Sequence, residues 1–261
     1  MTTRTLLYVE GVTVSFEGFL ALHKLNFVVD TGERVRVIIG PNGAGKTTLF
    51  DVLTGHVRPE SGRVIFGANT DLLELGTPAI ATLGITRKFQ TPSVFPSHTV
   101  LQNMILAAGG KGLRATLRSA AGMDPAVAEV LDQVGLLPHA ERPAGTLSHG
   151  QKQWLEIAML LAERPALLLL DEPVAGMSRP EREFTVALLD AIVERTDSAV
   201  MLIEHDMEFV RRVASRGHKV TVLHEGSVLS EGSLEHVQAD ARVVEAYLGR
   251  GRIKQEVMCS T

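Results

Sequence analysis

Eight consecutive residues, Gly40-Pro-Asn-Gly-Ala-Gly-Lys46-Thr47, combine the types needed to grip a polyanion. The three glycines let the backbone wrap inward without side chains intervening, so successive N–H groups can cradle anionic oxygens. A lysine and a hydroxyl residue at the end of the turn match the glycine-rich loop that holds nucleotide phosphates. On that pattern Lys46 reaches the outer phosphates and Thr47 holds Mg2+. Gly40, Pro41, Asn42, Gly43, Ala44, Gly45, Lys46, Thr47 and Thr48 are the expected contacts of ATP. The competing reading is an accidental glycine turn with one exposed lysine. It leaves unexplained the strand-like run Arg34 to Ile39 before the loop and the helix-compatible Lys46 to Leu53 after it.

A second group is acidic. Leu167-Leu-Leu-Leu-Asp171-Glu172 ends an apolar run with adjacent carboxylates. From a strand end, Asp171 can reach Mg2+ and Glu172 can polarise an attacking water. Acids in that position also serve as plain helix caps or solvated turn residues. Leu147-Ser-His-Gly-Gln151 precedes a helical run. Ser148 with Gln151 forms a capping box that needs no function; alternatively, Ser148 and the helix N-terminus bind an anion. His205, after Val200 to Ile203, can hydrogen-bond a phosphate or be incidental. Gln90 can touch water and Mg2+ or be a surface amide. Phe16 can stack on adenine or sit in the core.

These groups need elements to position them. Leu6 to Phe16, Leu22 to Val29 and Arg34 to Ile39 read as strands, with turn residues Asp30-Thr-Gly32 between the last two. From Thr91 to about Leu161 the periodicity is helical, with helices expected over Val100 to Ala108, from Asp124-Pro125 to Val134, and over Gln151 to Leu161. Gly109 to Gly122 reads as a flexible or variable stretch. Beyond it, apolar runs Leu167 to Leu170, Ala199 to Ile203 and Lys219 to Leu223 alternate with helical segments Pro180 to Glu194 and Met207 to Val213. That alternation implies a mostly parallel sheet in an α/β fold.

Bulk properties narrow the class. The chain has 261 residues, of which 45% are hydrophobic and 21% charged, so disorder is not expected. A net charge of -4 provides no global basic field, and nucleic acid is not an expected partner. The lone Cys259 excludes an internal disulfide. The first ten residues contain no long apolar run, so export is not expected. Ala166 to Leu170 is far short of the roughly 20 residues that span a bilayer, and any membrane role is expected to come through a partner.

Taken in order, the phosphate loop, Gln90, Leu147 to Gln151, Leu167 to Glu172 and His205 resemble the ATP-binding cassette (ABC) ATPases, from about Tyr8 to Leu248. The resemblance implies a P-loop NTPase fold with a RecA-like core, an antiparallel β lobe and an inserted helical signature subdomain. It assigns 1–90 and 162–240 to the nucleotide-binding core, 91–161 to the helical subdomain and 241–261 to a C-terminal helix and tail. It makes Phe16 the adenine-stacking aromatic, Gln90 the Q-loop, Ser148, His149, Gly150 and Gln151 the signature, Glu172 the catalytic base and His205 the switch histidine. ATP would lie between one chain's P-loop and another's signature, so two chains pair head to tail. A heterodimer with a second ABC ATPase is favoured over a homodimer.

Further partners implied are transmembrane permease subunits and, indirectly, an extracytoplasmic solute-binding protein. The expected location is the cytoplasmic face of a bacterial membrane. Asp171-Glu-Pro-Val-Ala-Gly176, Ile203 to Phe209 and Val244 to Gly249 are similar to the branched-chain amino acid and urea importers. Gln151 to Glu156 and Val222 to Val228 lean toward the urea-type ATPase. Two residues depart from the family pattern: His149 replaces a usual glycine, and Ser178 stands where many relatives carry Asp. A rival from another class is a regulatory nucleotide-binding module with little turnover. Another is a soluble ABC protein acting on ribosomes or DNA, which usually has a second P-loop or heptads that this chain lacks.

Overall fold

The computed structural model describes residues 5–88, 93–108 and 123–248. In chain order the elements are β1 (Thr5–Phe16), β2 (Phe19–Asp30), β3 (Val35–Ile39), α1 (Lys46–Leu53), β4 (Ser61–Phe66), β5 (Thr70–Asp71), α2 (Thr77–Thr82), β6 (Ile85–Lys88), α3 (Val100–Ala107), α4 (Pro125–Gln133), α5 (His149–Ala162), β7 (Leu167–Asp171), α6 (Arg179–Arg195), β8 (Ala199–Ile203), α7 (Met207–Ala214), β9 (Lys219–His224), β10 (Ser227–Gly232), α8 (Leu234–Ala239) and α9 (Ala241–Leu248). They fall into two compact units, one formed by the chain up to Thr82 and from Met201 onward, the other by Leu83–Val200.

In the first unit β2, β1, β4 and β5 make an antiparallel sheet in that order. Alternation in β1 buries Leu7, Val9, Val12 and Val14 on one face. The register shifts around Gly11, whose N–H donates to Asn26 Oδ1 at 3.0 Å. A second set of strands runs β10-β9-β3, with the end of β8 beside β3. β3 pairs with β9 in parallel, and β10 closes the edge antiparallel. All five residues of β3 are buried, as expected for a strand covered on both faces.

One of those five is Arg36, whose guanidinium is fully enclosed. It donates to Glu33, Glu231, Thr221 Oγ1 (2.9 Å) and the Val28 carbonyl (3.1 Å), and it lies 5.2 Å from the centroid of the Phe27 ring. One cation thereby joins β2, β3, β9 and β10. Burial opposes ionisation of Glu33, but bonds from Arg36, the Asp30 N–H and Lys219 outweigh it and hold the carboxyl below the usual range.

In the second unit β6 and β7 pair in parallel, Arg87 alongside Leu169, and Leu167 to Leu170 are wholly buried. α5 packs on α6 through Trp154, whose ring centroid is 4.4 Å from that of Phe184 and whose Nε1–H donates to Thr185 Oγ1 at 3.0 Å. The helices begin where their caps dictate. Thr99 and Gln102 form a capping box, and Asp124 accepts the Ala126 N–H. α5 starts at His149, two residues before the expected Gln151, because Ser148 is its cap. β4, β6 and β10 were not expected as strands. Each is short, and β4 and β10 are interrupted by glycine or serine and carry partly exposed residues.

Replacing Arg36 by Met should lower stability by about 3 kcal/mol, because it strands two carboxylates that the guanidinium compensated. Urea unfolding of the variant is expected to show a lower midpoint with an unchanged slope.

Candidate active site

The phosphate loop joins β3 to α1 in the first unit. A Cβ on Gly40 would run into the Leu223 carbonyl oxygen, and one on Gly45 into the Ala21 carbonyl oxygen, with Leu22 Cδ2 2.7 Å away. The loop is therefore pressed against the end of β9 and the start of β2, with no room for side chains. Gly45, at φ 94, caps α1 without any side-chain hydrogen bond, and no acid occupies the first turn. The dipole and the uncapped donors at that terminus suit an anion. Lys46 Nζ donates to the Gly40 and Pro41 carbonyls at 2.7 and 3.0 Å, which holds the ammonium over the loop. Thr47 is exposed and Thr48 partly so.

A turn that the sequence did not single out for this role braces the loop. Glu225 (φ 48) and Gly226 (φ 76) connect β9 to β10, with His224 and Ser227 paired. Positive φ at both central residues is the I′ geometry of a two-residue hairpin. The Gly226 N–H donates to the Ala44 carbonyl at 3.2 Å, and its carbonyl accepts the His23 N–H at 2.9 Å. Ser227 Oγ donates to the His23 carbonyl at 2.8 Å. A Cβ on Gly226 would lie 2.8 Å from the Ala21 oxygen.

His205 belongs to the same unit and is exposed at the end of β8. Its neighbour Glu204 is buried, and the Glu204 N–H donates to the Ile38 carbonyl at 3.2 Å, two residues before Gly40. The Glu204 carboxylate accepts the N–H groups of His205 and Asp206 at 3.0 and 3.3 Å. Glu204, which sequence reasoning passed over, thus sets the backbone of His205 beside the loop. Phe16 is 46% exposed, not part of the core, and pairs across the β1–β2 turn with Phe19, 61% exposed. A strand rises about 3.3 Å per residue, so Phe19 lies roughly 7 Å along β2 from Ala21, which backs the loop at Gly45.

The second unit holds the acids and Ser148. Asp171 ends β7 and is buried; its Oδ2 accepts Arg87 Nη2 at 2.9 Å, and its Oδ1 has no hydrogen-bond partner. Arg87, on the neighbouring strand β6, was not anticipated; the signal was a pair of adjacent cations, Arg87 and Lys88, in a short run that begins at Ile85 and is followed by Phe89. Glu172 has φ 47, an uncommon backbone for a side chain of its size, and is partly exposed. Held strain of this kind clusters at functional positions. Gln90 lies outside the described residues.

Ser148 does form the capping box with Gln151: its Oγ accepts the Gln151 N–H at 3.1 Å and its N–H donates to Gln151 Oε1 at 3.0 Å. The same hydroxyl donates to Glu181 Oε1 at 3.1 Å. Glu181 Oε2 accepts the N–H and the hydroxyl of Ser178 at 2.9 and 2.7 Å. The Ser178 bonds first, then the Ser148 hydroxyl and nearby His149, hold the Glu181 carboxyl below its ordinary 4.5. His149 Nε2 lies 3.1 Å from the Ala175 carbonyl and 3.3 Å from Gln153 Nε2. Nε2 donates to the Ala175 carbonyl in one tautomer and accepts from the Gln153 amide in the other.

Residues 22–175 match the model of the ABC transporter family, and 227–252 match that of the branched-chain amino acid ATP-binding cassette transporter. The chain belongs to the ABC transporter family. Over 257 residues it is 35% identical to the high-affinity branched-chain amino acid transport ATP-binding protein BraF of Pseudomonas aeruginosa, covering 95% of this chain and 99% of the relative. It is 34% identical to LivG of Escherichia coli, a protein of the same description, with the same coverage. Among solved structures it resembles the ADP conformation of MJ1267, an ATP-binding cassette of an ABC transporter, with 29% identity, 95% and 100% coverage and a TM-score of 0.79. The cbiO1 structure from Clostridium perfringens gives 28% identity, 95% and 97% coverage and a TM-score of 0.76.

The fold is that of an ABC cassette, α/β with parallel-containing and antiparallel sheets, and the chain is an ATPase of the transport-coupled kind. Among the described residues no helix is long and apolar enough to cross a membrane. Two measurements follow for this cassette. Gly226→Ala, by forcing β2 and the P-loop apart, should weaken ATP binding about tenfold, equal to 1.4 kcal/mol in the binding equilibrium, as read by nucleotide titration. Because the Glu181 carboxyl is held low, its stabilising contribution is complete above its unfolded value of 4.5 and fades as pH falls through the lowered folded value. The melting-temperature gap between wild type and Glu181→Gln should therefore close on acidification.

Proposed function

We propose that this cassette is the ATP-hydrolysing subunit of an importer for branched-chain amino acids. The observation that carries this is the joint match: near full-length similarity to relatives named for that transport, plus the family-specific segment 227–252. The features that lean toward urea are Gln151 to Glu156 on α5 and Val222 to Val228 around the β9–β10 turn. There Trp154 packs on Phe184 and Gly226 braces the P-loop. They distinguish cassettes through packing inside the ATPase and touch no solute, so urea is the second reading.

The proposed chemistry follows from side chains already placed. Lys46 and the loop backbone bind the ATP phosphates, and Phe16 stacks on the base. Mg2+ would be held by Thr47, Gln90 and Asp171. Asp171 fits that task, since Arg87 fixes one carboxylate oxygen and leaves the other, buried and without a protein hydrogen bond, to face a cation. When bound, the ion neutralises charge on the phosphates. Glu172 orients and deprotonates the attacking water, and His205 steadies the outer phosphate. Ser148, His149, Gly150 and Gln151 would meet the nucleotide of a second cassette in a head-to-tail pair, with a different ATPase favoured as that partner. Closure and reopening of the pair would drive permease subunits, fed by a solute-binding protein, from the cytoplasmic face of the membrane.

Glu172→Gln should reduce kcat about 100-fold while ATP binding persists; normal steady-state turnover in the assembled transporter would sink the assignment of Glu172. For the solute, ATPase activity in vesicles containing the chain, its permease subunits and partner ATPase should rise with leucine-loaded binding protein. Stimulation by urea alone would reverse the choice of substrate. ATP binding without turnover under every condition would favour a regulatory module.

A further inference from the structure

Ser148 and Ser178 donate to the two oxygens of one carboxylate, that of Glu181. We infer that Glu181 is a positioning residue for ATP turnover, holding the Ser148 hydroxyl until a nucleotide phosphate takes it and passing that exchange to the Ala175–Ser178 segment. The inference rests on the proposed role of Ser148 as a phosphate contact.

The chemistry is one of a single hydrogen. A serine hydroxyl has one O–H to donate, so Ser148 serves Glu181 or a phosphate oxygen, never both. An arriving phosphate also repels the carboxylate, which still holds the N–H and hydroxyl of Ser178 and is driven toward them. The Ala175–Ser178 segment is met at its other end by His149, whose Nε2 lies 3.1 Å from the Ala175 carbonyl. Substitutions that look like departures from the family pattern fit this arrangement. Aspartate at 178 would set a second carboxylate against Glu181 and keep only the backbone N–H as donor, whereas Ser178 adds its hydroxyl. A Cβ at position 150 would lie 2.5 Å from Glu181 Oε1, so Gly150 leaves room for the carboxylate as well as for a ligand.

The test is ATPase activity against Mg-ATP concentration in the reconstituted transporter, for Glu181→Gln and Ser178→Ala, each alone and with Ser148→Ala. Glu181→Gln weakens the competitor and should lower KM about threefold with kcat changed less than about twofold. Ser178→Ala removes the hydroxyl donor and leaves Glu181 the residue-178 N–H and Ser148, so Glu181 leans harder on Ser148 and KM should rise by about the same factor. Both shifts should vanish in the Ser148→Ala background, as expected for residues acting through one hydroxyl. Shifts in the same direction, or shifts that persist without Ser148, would overturn the inference and leave a purely structural cap. If Ser148→Ala alone leaves KM and kcat unchanged, the phosphate-contact reading of Ser148 fails first and this inference falls with it. Should Glu181→Gln melt far below wild type, the sign of the Ser178→Ala shift and its loss with Ser148→Ala decide the matter.

Discussion

A loop that binds a polyanion through its backbone can tolerate no side chain between itself and the strands behind it, and the first unit is arranged around that exclusion. Gly40 lies against the Leu223 carbonyl, Gly45 against Ala21 and Leu22, and Gly226 against Ala21 and His23. β2, β3 and β9 must therefore end at matching heights, or the loop loses its backing. Arg36 fixes the opposite end of β3 by tying it to β2, β9 and β10. A buried guanidinium with several partners specifies a single register, because slipping any strand by one residue would leave a buried charge uncompensated.

The second unit solves a related problem with charge. Arg87 and Lys88 are consecutive on β6, so they point to opposite faces of the strand. Arg87 meets Asp171 at the end of β7, and the fully buried Lys88 lies 3.5 Å from Glu156 on α5. Burial pushes the Glu156 carboxyl above its usual range despite the pull of Lys88 and the bond from the Ser93 N–H. One short strand thereby references both the acidic strand end and the helix capped by Ser148. A conformational shift in either would be felt at adjacent residues.

Much of this was legible before any coordinates. The phosphate loop, the acid pair and the capping box are local patterns in which spacing dictates geometry, and α1, β7 and α5 stand where those patterns place them. What escaped notice is nonlocal. The pairing of Arg87 with Asp171 spans 84 residues, and Glu204 looks like an ordinary acid until its N–H is seen on the Ile38 carbonyl. Phe16 is exposed because it sits at a hairpin tip, and hydrophobicity carries no mark of that position. Solute identity was illegible for a different reason: among the residues that resemble one importer or another, Trp154 packs on Phe184 and Gly226 on the phosphate loop, inside the ATPase itself.

The β9–β10 turn has a consequence for how this protein can vary. Surface hairpins are ordinarily where insertions, peptide tags and reporter labels are accommodated most easily. Here the turn is two residues long, and its second residue bridges Ala44 and His23. One added residue would displace that bridge, so the hairpin behaves as a gauge block of fixed length. Its length should be inherited unchanged while neighbouring loops drift, and a fluorophore or affinity tag belongs elsewhere on the chain.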